Sequence, residues 1–460
     1  MDTLIKNVTV ITGDGTTMLP AAWIGIEGDR IAAISQEPIP ASLASPTGVS
    51  IIDGTDWLAL PGLINGHTHG CTAGPLFSSG APALSVDRAL RNADRHLLQG
   101  VTTLVNACGL GTMAQVHEVA RCHPIRILTS TSHLPSTLEA ARLADGAGLR
   151  AVHLETTAEQ MLSQGAVALG EIGSGATLGG GVADYKYLPE ALHRETGVLI
   201  SRDHAKKLKE AALGRELRPE DRDLEAVETA LRESGLAGKV TLERACEVVE
   251  QVALTPVRAS LASYGEAVAL AASAGVPVIF HTAAVSASTI LQEARKREHL
   301  SAKLVAGHAN HPSFTVETCV AWARRLREAG VVVDVSTLNS LNAQRTEPTD
   351  NLVALLRENL VDTMTTDYGA GAWDGLLEVA QFLWRRGVVD LPRAVSLFTG
   401  RAAEALRAAA PDRGYLAPGK VADVVLVDGK NVGKVERVIV GGKTVADGGW
   451  CRFQRQEQGA

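Results

Sequence analysis

The sequence is poor in several features that mark particular classes of protein. Aromatic residues make up only 4% of its 460 residues, and with a net charge of −7 it shows no basic stripe for nucleic acid or an anionic membrane. No run of about 18 apolar residues occurs, which predicts that no segment spans a membrane. The N-terminus lacks the charged start and apolar stretch of a signal peptide, so a cytoplasmic location is expected.

Cysteines are also few and scattered. The six cysteines contain no Cys-x-x-Cys pair, and a reduced protein without disulfides is the simplest interpretation. What remains is ordinary for a soluble enzyme, with 45% hydrophobic and 21% charged residues. The length predicts a large catalytic domain together with a smaller one.

Both ends of the chain have the pattern of short β-strands. Runs such as LIKNVTVI and WIGIEGDRIAAI occur near the start, and GKVADVVLVDG and KVERVIVGGKTVADGG occur near the end. The middle of the chain has a different pattern. The two ends are therefore predicted to form one small β-sandwich domain from residues 1–60 and 405–460.

Residues 61–404 alternate apolar runs with helical patterns, which indicates an α/β fold with a parallel sheet and favours a (β/α)8 TIM barrel. Eight strand candidates stand out: LALPGLINGHTH, VTTLVNAC, IRILTSTSH, AVALGEIG, VPVIFHT, AKLVAGH, GVVVDVS and VDTMTTD. Residues 182–260 interrupt the alternation with a highly charged, mostly helical insertion. A solvated helical insertion and a lid over the site are both open interpretations.

The first candidate site is the sequence His67-Thr68-His69, which follows an apolar run. On a strand, residues i and i+2 point to the same face, so both imidazoles can reach one cation. A His-x-His pair alone is a weak signal. Its setting strengthens it, because Gly66 and Gly70 permit a close approach of the backbone.

Four further ligand-type residues share this position at the end of an apolar run: Glu171, His281, His308 and Asp367. In a barrel the carboxyl ends of the strands form one rim, where catalytic residues gather. Imidazoles and carboxylates together suit Zn²⁺ or another first-row divalent ion. A single histidine at a strand end is more often a hydrogen-bonded core residue. Five strand ends that all carry ligand types favour a metal site.

The segment PGLINGHTHG resembles the first-strand signature of the amidohydrolase superfamily. The order Glu171, His281, His308 and Asp367 is similar to that superfamily's order of bridging group, His, His and Asp. The tail LAPGKVADVVLVD resembles the segment in which such chains return to the β domain. Within the superfamily the resemblance is closest to the enamidases, which share Gly-Glu-hydrophobic-Gly on the fourth strand and a late histidine on the sixth.

This resemblance implies a site with two divalent metal ions, Zn²⁺ first and Fe or Mn as alternatives. His67, His69 and Asp367 would bind the more buried ion, and His281 and His308 the second. Glu171 would take the bridging place that a carboxylated lysine often holds, with Lys186 a weaker candidate for that role. A homo-oligomer is expected from the family alone.

The expected activity is hydrolysis of a C–N bond in a small, cyclic amide or imide, by attack of a metal-bridging hydroxide. Asp367 is the expected catalytic residue, because a fixed carboxylate can carry the proton from water to the leaving nitrogen. Deamination of a ring amine is the first alternative, and a non-catalytic metal-binding protein is the second. The expected partner is a small-molecule substrate, with no nucleic acid and no membrane.

A few other residues lie close to the predicted rim. His311 is interpreted either as a substrate contact or as a loop residue that caps the next helix, and Asn310 is similar. His133 closes the third strand candidate. Cys71 and Cys108 are expected near the site, although nothing indicates a cysteine nucleophile.

Overall fold

The computed structural model describes residues 1–40, 48–181, 183–296, 301–338, 349–368 and 374–453. Residue 182, which begins the predicted insertion, and residues 454–460 of the predicted terminal domain lie outside this part. Within it, no helix is both long enough and apolar enough to cross a membrane.

The described strands belong to two sheets. Those before the barrel are β1 (Thr3–Ile11), β2 (Met18–Glu27), β3 (Arg30–Ser35), β4 (Ser50–Asp53) and β5 (Trp57–Pro61). The barrel strands are β6 (Leu63–Thr68), β7 (Val101–Asn106), β8 (Arg126–Thr131), β9 (Ala168–Ile172), β10 (Val278–His281), β11 (Leu304–Gly307), β12 (Val332–Ser336) and β13 (Thr363–Thr365). The last strands are β14 (Val424–Asp428), β15 (Val435–Val440), β16 (Lys443–Asp447) and β17 (Trp450–Cys451).

Helices separate the barrel strands. They are α1 (Val86–Leu98), α2 (Met113–Ala120), α3 (Pro135–Ala144), α4 (Ala151–Glu155), α5 (Ala158–Ser163), α6 (Leu188–Thr196), α7 (Arg202–Leu213), α8 (Leu224–Glu233), α9 (Leu242–Ala274), α10 (Ala284–Lys296), α11 (Val316–Glu328), α12 (Thr349–Arg357), α13 (Leu376–Arg385), α14 (Leu391–Ser396) and α15 (Gly400–Ala405). A π-helical turn (Ala183–Tyr187) and a 3-10 turn (Pro219–Asp221) complete the set. Residues 140–165, which show no clear pattern in the sequence, contain the end of α3 and the short helices α4 and α5.

The eight strands β6 to β13 form one parallel sheet in sequence order. Short strands such as β10 and β11 are buried on both faces, as expected where helices cover a parallel sheet. Backbone hydrogen bonds join the chain after β13 to β6, from Asp367 N to His67 O at 3.0 Å and from His69 N to Tyr368 O at 2.6 Å. The sheet is therefore a nearly closed barrel, and the predicted fold class is confirmed.

The two chain ends form a separate mixed sheet in the order β17-β16-β15-β14-β5-β1-β2-β3, with β4 paired to β1. Within it β5 lies parallel to β1 and antiparallel to β14, with Leu60 opposite Val425. Apolar side chains of both ends, including Ile5, Ile24 and Leu426, are fully buried in one cluster. The chain ends thus form one unit, which the structure shows as a single mixed sheet.

The insertion after β9 is helical and has a hydrophobic cluster of its own. Leu192, Leu208 and Val249 are fully buried in this cluster. Lys209 fixes the insertion to the glycine-rich loop after β9 (residues 173–181), because its Nζ donates to the Gly179 carbonyl at 2.5 Å. The same Nζ donates to Asp184 Oδ1 within the insertion at 2.5 Å. The insertion is therefore packed and anchored; a lid role stays a prediction.

Candidate metal centre

The six ligand-type residues occupy the carboxyl ends of five barrel strands. His67 lies in β6 and His69 directly follows it. Glu171 lies in β9 and His281 ends β10. His308 directly follows β11, and Asp367 is two residues beyond β13. The backbone φ is positive at both residues, 38° at His308 and 46° at Asp367. Such backbone conformations are costly for residues other than glycine and cluster at functional sites.

One group of side chains contains His67, His69 and Asp367. Asp367 Oδ1 is 3.5 Å from His67 Nε2 and 3.2 Å from His69 Nε2. Two atoms that bind one Zn²⁺ tetrahedrally at its usual bond lengths are about 3.3 Å apart. The spacing of these three ligand atoms therefore fits a shared cation.

Glu171 lies between this group and the other two histidines. Its Oε1 is 2.9 Å from His281 Nδ1 and 2.8 Å from His308 Nε2. The same oxygen is 3.6 Å from His67 Nε2, and Oε2 is 3.7 Å from His69 Nε2. One carboxylate thus faces all four imidazoles, which is the arrangement that a bridging ligand requires.

His67 supports the fit of a cation most directly. Both of its ring nitrogens are buried, and neither forms a hydrogen bond with the described residues. A buried polar atom without a partner is costly, and such atoms in a native protein call for an explanation. A cation between His67 Nε2 and the carboxylates of Glu171 and Asp367 would satisfy the nitrogen.

The charge states of three of the site's groups also suit a cation. Burial lowers the pKa of His67 to about 4, so this imidazole is neutral and keeps a lone pair for an ion. Burial would raise the pKa of Glu171, but the charge of His281 and hydrogen bonds from His281 and His308 hold it well below its usual range. The pKa of Asp367 also lies below its usual value. Burial would raise this pKa, but neighbouring histidines, chiefly His308, lower it by more. At His69 burial lowers the pKa, but this effect is outweighed chiefly by the hydrogen bond with Asp367, and the pKa lies well above its usual value.

Access from solvent differs among the six side chains. The exposed fraction is 15% for Asp367 but only 3% for Glu171 and 2% for His67. His281 is 10% exposed and His308 only 1%. Asp367 is therefore the carboxylate that a substrate can reach, whereas Glu171 is enclosed.

The sequence does not predict several contacts that other residues make with the site. A Cβ at Gly307 would lie 2.9 Å from His67 Nδ1, so the absence of a side chain there makes room for the imidazole. The Phe77 ring packs edge-on against His69 at 5.0 Å between centroids. The Tyr264 hydroxyl of α9 donates to the His281 carbonyl at 2.7 Å. These contacts join distant parts of the chain, which spacing within one strand cannot predict.

The other residues near the predicted rim have different surroundings. Cys108 Sγ accepts from Gly70 N at 3.4 Å, which places this thiol beside the His-x-His segment. Asn310 exchanges hydrogen bonds with Ser336, a structural role. His133 is buried with Nδ1 3.0 Å from the Thr131 hydroxyl. Lys186 is exposed and its Nζ lies over the Tyr187 ring at 5.3 Å, whereas the carboxylate that faces the four imidazoles belongs to Glu171.

Residues 58–445 match the model of the amidohydrolase family. One curated relative is a 5-methylthioadenosine/S-adenosylhomocysteine deaminase of Caldicellulosiruptor saccharolyticus, 42% identical over 69 residues. That match covers 15% of this chain and 16% of the relative, so only a small part of the relative's length is spanned.

Solved structures extend the likeness over almost the whole chain. A β-aspartyl dipeptidase of Fervidobacterium islandicum AW-1 matches with a TM-score of 0.55 at 15% identity, covering 99% of both chains. A D-aminoacylase, described as having a binuclear metal centre, matches with a TM-score of 0.56 at 15% identity and 98% coverage of both chains. At 15% identity, these two matches show that the proteins share a fold and nothing further.

Proposed function

This chain belongs to the amidohydrolase family, and on that premise we propose that it is a metal-dependent hydrolase of a C–N bond in a small, cyclic amide or imide. The observation that carries the proposal is the approach of His67 and His69 to two carboxylates, those of Asp367 and Glu171. Glu171 also contacts two further histidines. Imidazoles and carboxylates at such distances are the donor set of a divalent first-row metal.

The proposed ligands divide into two sets with one shared member. His67, His69 and Asp367 would hold one ion, His281 and His308 the other, and Glu171 would belong to both. Zn²⁺ is the proposed metal, with Fe or Mn as alternatives. Divalent ions bound there would polarise a carbonyl and lower the pKa of a water molecule towards neutrality.

Among the protein's own groups, Asp367 is proposed to move the proton. It takes a proton from the attacking water and delivers it to the nitrogen that leaves the carbonyl carbon. Its partial exposure allows contact with substrate, and its backbone hydrogen bond to His67 fixes its position. Glu171 is enclosed by four imidazoles and serves to hold the ligand set together.

The proposed substrate class is supported by the enclosure of the site and by the resemblance of the strand-end sequences to those of the enamidases. A small planar ring suits a site whose ligand-type side chains are at most 15% exposed better than an extended peptide does. Opening of the ring would leave an acid and an amine on one molecule, without free ammonia. The long insertion after β9 is proposed to cover such a compact pocket.

Deamination of a ring amine is the second candidate function. Its support is the 42% identity, over a short segment, to a deaminase. The proposed metals and Asp367 would serve both reactions. The product separates the two, because deamination releases ammonia and keeps the ring intact.

The deciding experiment is a screen of ring amides, imides and ring amines with the metal-replete protein. Ammonia and ring opening are measured in parallel, and Asp367→Asn protein serves as the control for contaminating enzymes. Ring opening without ammonia supports the proposal. Stoichiometric ammonia from an intact ring shows a deaminase, and bound metal without turnover of any compound favours a non-catalytic metal-binding protein.

A further inference from the structure

His311 lies beside the ligand-type histidines without being one of the six. Its ring centroid is 5.4 Å from that of His281 and 5.5 Å from that of His308. It is partly exposed, whereas His308 is buried. The His311 ring therefore lies on the solvent-accessible side of His281 and His308.

Two donors determine which nitrogen of His311 carries the proton. The backbone N–H of Ser313 donates to His311 Nδ1 at 3.2 Å, and a backbone N–H cannot accept. The Ser313 hydroxyl is 2.8 Å from the same nitrogen. That hydroxyl accepts from Ala284 N at 2.9 Å, which leaves its own hydrogen for Nδ1. Because Nδ1 accepts, the neutral ring carries its hydrogen on Nε2.

The Nε2–H of His311 has no acceptor among the described residues. The side-chain hydrogen bonds of His311 all use Nδ1, on the edge of the ring that faces Ser313. The opposite edge is thus a fixed, neutral donor next to His281 and His308. Loop 308–313 is also held by the insertion, since Arg215 donates to the Ser313 carbonyl at 3.4 Å.

We propose that His311 is a catalytic residue that donates its Nε2–H to the substrate's carbonyl oxygen, on the carbon that is attacked. The inference rests on the proposed function, because that oxygen gains negative charge only if an amide or imide is hydrolysed. A donor already oriented by Ser313 needs no reorganisation as the charge develops, which is how such groups favour the transition state. Such a donor favours substrates whose carbonyl oxygen can accept a hydrogen bond from His311.

The test compares His311→Ala and His311→Gln with the parent protein, with the exposed His193→Ala as the matched control. Metal content, kcat and KM are measured, together with the affinity of the cobalt-loaded protein for acetate, followed by visible absorption. We expect His311→Ala to keep its metal and to lose about 10²- to 10³-fold in kcat, the effect of removing one such donor. Acetate affinity should fall about tenfold, and His311→Gln should recover part of both because its amide can donate.

Each result has a separate meaning. Loss of metal from both His311 variants would make His311 a ligand and overturn the proposal, as would unchanged kcat and acetate affinity in His311→Ala. If the parent protein hydrolyses no C–N bond, the proposed function fails. A tenfold loss of acetate affinity in His311→Ala would then still support the donor role.

Discussion

The backbone N–H of Asp367 donates to the carbonyl oxygen of His67 at 3.0 Å, and the side chains of the same two residues approach to 3.5 Å. The first and last strands of the barrel are thus joined at two proposed ligands of one ion. An ion bound by both side chains would hold both strand ends, so the proposal couples metal binding to barrel closure at this point.

Removal of His67 is expected to remove metal and stability together. His67→Ala should lose at least one of two bound ions per chain, because this imidazole faces both carboxylates. A ligand present at 100 times its dissociation constant stabilises a protein by about 2.7 kcal/mol, which is the scale of the expected loss. Metal analysis and urea unfolding with and without chelator measure both effects, with His193→Ala as control. Full metal occupancy in both His67→Ala and His281→Ala would rule out the proposed site.

Asp367→Asn separates proton transfer from metal binding. The amide keeps a coordinating oxygen and a similar size but cannot accept a proton at neutral pH. We expect kcat to fall about 10²-fold or more, the scale of general acid–base catalysis, while most of the metal remains bound. Steady-state kinetics and metal analysis on the same preparation provide the measurement. A nearly normal kcat would assign the proton transfer to another group.

Gly307→Ala should weaken the metal site without replacing a proposed ligand. The added Cβ would lie 2.9 Å from His67 Nδ1 and 2.8 Å from the Phe280 carbonyl, and both atoms belong to the closely packed rim. We expect at least a tenfold loss of metal affinity, measured by competition with a coloured chelator. Gly265→Ala is the control, because its Cβ meets nothing closer than 3.7 Å inside helix α9. Equal affinities in the two variants would show that the His67 ring has room to shift.

His96 should make stability depend on pH. Burial lowers its pKa from 6.5 to about 3, so between these values the unfolded chain binds a proton that the folded protein does not. Stability therefore rises with pH across this window and falls on acidification, by up to about 1.4 kcal/mol per pH unit for this group. Urea unfolding from pH 4 to pH 7 should show a smaller slope for His96→Gln than for the parent. His193→Gln, an exposed position, should keep the parent slope; identical slopes in all three proteins would contradict the assignment.

The sequence predicts the strands better than the contacts between them. All eight barrel strands coincide with predicted apolar runs, because strands buried on both faces leave continuous apolar segments. The approach of His67 to His69 is also predictable, since it depends on the period of one strand. The place of Glu171 among four imidazoles depends on the order and closure of the strands. The edge contact of Phe77 on His69 depends on a loop, for which the sequence contains no periodic signal.

The position of β5 between β1 and β14 has a consequence for synthesis of the chain. Leu60 pairs with Val425, so the N-terminal strands acquire this neighbour only after the entire barrel has left the ribosome. Until then β5 presents an open edge, and open edges invite pairing with other chains. Pairings so distant in sequence also form slowly. A truncated or stalled chain should for this reason be more prone to aggregate than the finished protein, even if its barrel has already folded.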